Sequence, residues 1–149
     1  MLFMKFLFAL CLSLFTAFLP TAQASLINAN QPMVAVIELG AITADGDVFG
    51  VYLPKKSRIV SVHVANGATI SASDTDYFQI SLQLGSTVIA ELDTRAAHEN
   101  GVTANTPKAL NLVAAQVDQA AGSYLKATYN EEGTMAMTAG KLIVTYWPY

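Results

Sequence analysis

The sequence predicts an all-β protein: an antiparallel β-sandwich, jelly-roll-like, of eight to nine strands after an N-terminal apolar segment. Three observations carry this. Short β-branched and apolar runs alternate with polar residues at period two. Turn signals recur roughly every 8 to 12 residues, the spacing of sandwiches and barrels. No stretch of ten or more residues beyond the N-terminus has helical spacing.

Residues 1–24 stand apart. Lys5 lies in a short positive head, Phe6 to Leu19 is a 14-residue run without a charge, Pro20 breaks it, and Ala22-Gln23-Ala24 precedes Ser25. A basic start, an apolar middle and an A-x-A site describe a secretory signal peptide. A membrane-spanning helix needs about 20 apolar residues, so the run is short for a permanent anchor, which is the alternative reading of the segment. Residues 25–149 are the expected β-sandwich domain, long enough to bury a core. Cys11, the sole cysteine, falls in the signal, so the domain is expected to use no disulfide. With Lys5 removed, seven basic residues face eleven acidic ones. That mild acidity argues against nucleic acid, whose phosphates call for a basic stripe.

The strands follow in order. Met33 to Leu39 is the first. Asp45-Gly46-Asp47 marks a turn, and Val48 to Leu53 is a short strand stopped by Pro54. Lys55-Lys56-Ser57-Arg58 is a solvated basic turn. Arg58 to Val64 alternates, with Val60, Val62 and Val64 on one face and Ile59, Ser61 and His63 on the other; Asn66-Gly67 is a turn signal. Tyr77 to Leu84 alternates most cleanly, with Phe78, Ile80, Leu82 and Leu84 on one side. Gly85-Ser86 has glycine first, as a type II′ hairpin wants, and Val88, Ala90 and Leu92 continue beyond it. Thr94 to Pro107 has no period and many turn formers, a long loop of the kind that carries binding or assembly contacts. Ala109 to Val113 is a strand, and Ala114 to Gly122 is one helical turn or a connection. Tyr124 to Tyr129 is a strand, Asn130 to Gly133 a tight turn, and Thr134 to Thr138 and Lys141 to Tyr146 form the last two strands, joined at Ala139-Gly140.

Chemistry is hard to place on this pattern. His63 and His98 share no spacing with a second metal ligand, no serine sits in a G-x-S-x-G elbow, and no glycine-rich phosphate loop exists. Glu91 and Asp93 alternate on one strand face, and edge charge explains them as well as catalysis does. Asp45/Asp47 and Asp74/Asp76 sit at strand entrances. They read as turn residues, and their spacing leaves open whether either pair holds calcium, which takes six to eight oxygens. The expectation is a protein that is not an enzyme and carries no cofactor or metal.

Two stretches resemble a family. The run VANGATISASDTDYFQISLQLGSTVIAELDT is similar to a segment of the small jelly-roll virion structural proteins of tailed phages, of the capsid-decoration or head-fibre type. There an Asp-Thr-Asn-Tyr-like start leads into an alternating strand, a glycine turn and a closing Asp/Thr; here Asp76 stands where the pattern has Asn. The closing hairpins resemble the same family at Ala121-Gly122-Ser123-Tyr124-Leu125, Gly133-Thr134 and Tyr146-Trp147-Pro148. The resemblance covers residues 58–149 and implies a structural, non-enzymatic assembly role: a homo-oligomer, often a trimer, in contact with other particle or capsid subunits. Contact residues are expected in the long loop and the aromatic tail: Thr94, Arg95, His98, Asn100, Asn105, Tyr146, Trp147 and Tyr149. The place is the virion surface, or outside the cell (periplasm or beyond) if the signal is cleaved; membrane contact would run only through residues 1–24 left uncleaved. The alternative is an exported β-sandwich binding module for a glycan or surface polymer, with Tyr77, Tyr124 and Tyr129 as candidate stacking rings.

Overall fold

The computed structural model describes residues 31–98 and 100–149. The apolar run and its A-x-A site lie outside the described residues. Ten strands follow: β1 (Met33–Ile42), β2 (Gly46–Leu53), β3 (Ser57–Ala65), β4 (Tyr77–Leu84), β5 (Thr87–Asp93), β6 (Lys108–Ala109), β7 (Asn111–Leu112), β8 (Asp118–Gln119), β9 (Ser123–Glu132) and β10 (Met137–Pro148). The pairing is nested. β1 pairs with β10, β2 with β9, β3 with β6 and β4 with β5, all antiparallel. Successive levels fall alternately into two sheets: β1-β10-β3-β6, with β8 also on β3, and β2-β9-β4-β5-β7. A long hairpin wound into two facing sheets in this order is a jelly roll.

The alternation read from the sequence chooses the inner faces. Phe78, Ile80 and Leu82 of β4, Leu125, Ala127 and Tyr129 of β9, Ile59, Val62 and Val64 of β3, and Leu142, Val144 and Tyr146 of β10 meet in one core. Phe78 and Tyr129 stack at its centre, ring centroids 5.4 Å apart. Gly85 adopts φ 60, as the first residue of a type II′ turn requires.

Four local expectations change. Val60 points outward while Ile59 points in, because β3 gains a residue opposite the step from Thr145 to Tyr146, and a bulge reverses the facing of everything before it. The last two expected strands are one. Ala139-Gly140 forms a bulge rather than a turn: Ala139 takes φ 50, and Gly140 is so close to Met137 Sδ and the Gly40 carbonyl that a Cβ would sit 3.3 and 3.4 Å from them. The strand bends there and continues. Asn130 stays in β9, and the reversal comes at Gly133 (φ 88), at a corner carrying the chain from one sheet to the other rather than in a hairpin. Finally, Ala109 to Val113 splits into β6 and β7, one in each sheet, with buried Leu110 between them donating its N–H to the Val62 carbonyl.

Candidate functional site

The two outer faces differ in chemistry. On the first sheet, strand register sets Val34 beside Thr145 and Ser61, and Val36 beside Ile143 and His63. Val34 is 63% exposed, and Val36, Val60 and Trp147 are nearly half exposed. Two ion pairs border this strip: Lys141 Nζ to Glu38 at 3.2 Å at one end, and Arg58 Nη1 to Asp118 at 3.8 Å at the other, where Arg58 stands opposite Trp147. Between them the exposed valines share the face with Thr145, Ser61 and His63.

The aromatic tail runs off one end of it. Tyr146 is buried in the core and offers no surface to a partner, whereas Trp147 and Tyr149 are exposed. Tyr149 is held in place: its N–H donates to the Lys56 carbonyl, its hydroxyl donates to Asp118 Oδ1 at 3.1 Å, and the Lys56 ammonium lies 5.1 Å over its ring.

The second outer face is polar over β4 and β5. Tyr77, Gln79, Ser81 and Gln83 alternate outward along β4. Register places Glu91 beside Ser81 and Asp93 beside Gln79 from β5, Thr128 and Asn130 from β9, and Asn111 beside Glu91 from β7. Gln79, Ser81, Gln83, Glu91, Asp93, Asn111 and Asn130, with Arg95, His98 and Asn100 of the long loop, line a groove of about 370 Å³.

Its anchor is Asp93. Arg95 donates to it from both its side chain and its backbone N–H, and Gln79 Nε2 donates at 2.9 Å. Partial burial pushes the Asp93 carboxyl up, but these hydrogen bonds outweigh burial and hold it at about 2. His98 Nε2 lies 3.7 Å from the same carboxylate. The guanidinium of Arg95 also lies 5.3 Å over the ring of Tyr77.

The rest of the long loop divides. Thr94 is fully buried, with its hydroxyl and N–H both bonded to the Phe78 backbone, so it closes the fold and has no free surface. Asn105, at φ 57, donates its N–H to the Asn66 carbonyl and keeps its side chain exposed. Val102 is buried and bridges to Ile70, pinning the loop.

The acidic pairs tie loop ends. Asp45 Oδ1 accepts from the Glu131 N–H, Asp76 Oδ1 from the Thr134 N–H, and Asp74 from the Ala97 N–H. The Lys126 ammonium and the Thr128 hydroxyl hold Asp47 below the usual carboxylate range.

Tyr77, Tyr124 and Tyr129 do not form one platform. Tyr129 is in the core, and Tyr77 and Tyr124 lie at opposite ends of the second outer face. Tyr124 instead joins Phe49 and Tyr52, centroids 5.8 and 6.3 Å away, in an exposed aromatic cluster beside edge strand β2. Sequence reading missed this cluster. Phe49 and Tyr52 have an odd spacing, and they share a face only because a bulge falls between Phe49 and Val51.

No protein-family model and no curated protein matches the sequence. Among solved structures, a chain of the capsid asymmetric unit of cyanophage Pam1 superposes with a TM-score of 0.53 at 13% identity, covering 89% of this chain and 96% of that one. The two chains share the jelly-roll fold. A structure of infectious bursal disease virus, Gx strain, matches at a TM-score of 0.33 and 15% identity, over 78% of this chain and 33% of that one.

Proposed function

We propose that this chain is a non-enzymatic structural subunit of a virion, of the capsid-decoration or head-fibre kind, that works through contacts between neighbouring subunits. The observation that carries the reading is the likeness to the Pam1 capsid chain, which spans nearly the whole length of both chains. The outer face of the first sheet supports it. Val34, Val36, Val60 and Trp147 expose apolar surface on one sheet face, and exposed apolar surface of this kind is a feature of interfaces. Edge strand β1 borders the strip, so a neighbouring copy of this chain would cover both. Trp147 and Tyr149 extend the contact, and Arg95, His98, Asn100 and Asn105 supply a polar contact from the long loop. A homo-oligomer, the trimer that the family resemblance implies, meets other particle subunits through these surfaces at the virion surface. If residues 1–24 are a cleaved signal, the assembly is reached by export.

The test is separation of particles from soluble material on a density gradient, followed by mass spectrometry of both fractions. The chain is expected in the particle fraction. A chain confined to soluble exported material and beginning at Ser25 would sink the virion reading.

A further inference from the structure

The geometry points to a saccharide-binding groove on the polar outer face of the second sheet, a different sheet from the one that carries the apolar strip proposed above as a subunit contact, and sharing with that proposal the long-loop residues Arg95, His98 and Asn100. At about 370 Å³ the groove lies at the low end of the roughly 300–1,000 Å³ range of small-ligand clefts. Its floor is rigid, because Gln79, Ser81 and Gln83 stand on the central strand β4, paired on both sides. Its walls carry three carboxamides, Asn130 from β9, Asn111 from β7 and Asn100 from the long loop, beside Glu91, Arg95 and His98.

The ligand class follows from what these groups offer. A carboxamide presents two N–H donors and a carbonyl acceptor side by side, and a hydroxyl both donates and accepts. A ligand with neighbouring hydroxyls is therefore the natural complement of a carboxamide-lined wall. Anions are disfavoured, since the Arg95 charge is taken up by Asp93 and the Glu91 carboxylate faces the groove. A cation would find a single carboxylate, Glu91, since both oxygens of Asp93 already accept from Arg95, and one of them also accepts from Gln79.

Part of the floor is set in advance. The Gln79 side-chain nitrogen is committed to Asp93 at 2.9 Å, which leaves its carbonyl oxygen to accept from a ligand. Gln83 Nε2 donates to Ser81 Oγ at 2.7 Å, which frees the Ser81 hydroxyl to donate. Groups already fixed in a binding conformation lose less freedom when a ligand arrives. Half-buried Val88 at the groove edge gives the apolar face of a sugar ring a surface to rest on.

The test is a titration of the purified full chain, labelled with nitrogen-15, with neutral oligosaccharides: maltohexaose, cellohexaose, chitohexaose and a mannan fragment. Side-chain amide resonances of Gln79, Gln83, Asn111 and Asn130 are followed up to about 10 mM sugar, enough to fill a millimolar site. At least one sugar is expected to move these resonances saturably, and the double variant Asn111→Ala/Asn130→Ala to weaken that binding tenfold or more. Both positions are exposed, so the backbone spectrum of the variant should stay unchanged and report that it folds. The proposal is overturned if no sugar moves the groove amides, if the double variant binds as well as the parent, or if only inorganic phosphate or calcium produces the shifts.

Discussion

Thr94 and Phe78 lock the sheet end where β4 starts and β5 stops. The Thr94 hydroxyl donates to the Phe78 carbonyl at 3.1 Å and accepts the Phe78 N–H at 2.9 Å, while the Thr94 N–H donates to the same carbonyl at 3.0 Å. All of this is buried. Thr94→Val keeps the shape and removes the hydroxyl, leaving the Phe78 N–H without its partner. A buried donor left unpaired costs about 1–3 kcal/mol. Urea unfolding should show that loss, with Thr94→Ser retaining most of the stability. Equal stability of Thr94→Val and the parent would mean that the lock contributes nothing.

Asp93 ties stability to acid. Its carboxyl is held at about 2 in the folded chain, against about 3.9 when unfolded. A depressed folded value means the contribution is complete above the unfolded value and is lost as pH falls from about 4 toward 2. The carboxylate is largely covered but Arg95 is 40% exposed, so solvent screening trims the gain to about 1–2 kcal/mol. Asp93→Asn should cost that much at neutral pH and flatten the acid limb of a stability-versus-pH curve. A variant with an unchanged acid limb would contradict the assignment.

Gly50 marks where β2 crosses close to β1. A Cβ there would lie 2.5 Å from Ile37 Cγ1 and 2.7 Å from Cγ2. Gly50→Ala should destabilise by about 1–3 kcal/mol through overpacking. Combining it with Ile37→Ala, which clears the space, should cost less than the sum of the two single changes. Strict additivity would show that the two sites do not touch in solution.

The apolar outer strip predicts a variant that folds but fails to assemble. Val36 is nearly half exposed, so Val36→Glu should change thermal stability by less than about 1 kcal/mol, as surface changes do. Its recovery with particles should fall at least tenfold, the effect of about 1.4 kcal/mol or more at one contact. Full recovery would remove this face from the interface.

Much of the fold was legible in the sequence. Tyr77 to Leu84 appears as a strand with the bounds its alternation gave, and Gly85-Ser86 turns as expected. Alternation is dictated by a chain with one wet and one dry face, and that pattern is local. What could not be read is non-local. The Val60 bulge, the continuous bend at Ala139-Gly140 and the splitting of Ala109 to Val113 between sheets all depend on which strand lies opposite. The candidate surfaces followed the same division. Trp147 and Tyr149 were visible because aromatic tails stand out, while Phe49, Tyr52 and Tyr124 come together only through register. Thr94 and Tyr146, marked for contact from sequence, turned inward because Thr94 caps the sheet end and Tyr146 falls on the dry side of β10.

Hydroxyl-radical footprinting with mass spectrometry tests the central claim most directly, comparing the free chain with the particle fraction. Trp147 reports on the outer face of the first sheet, and Phe49 and Tyr124 on that of the second; all three are exposed in the single chain. The account predicts that assembly protects Trp147 several-fold while Phe49 and Tyr124 stay reactive. Equal labelling of Trp147 in free and particle-bound chains would contradict it, because the apolar face would then carry no subunit contact.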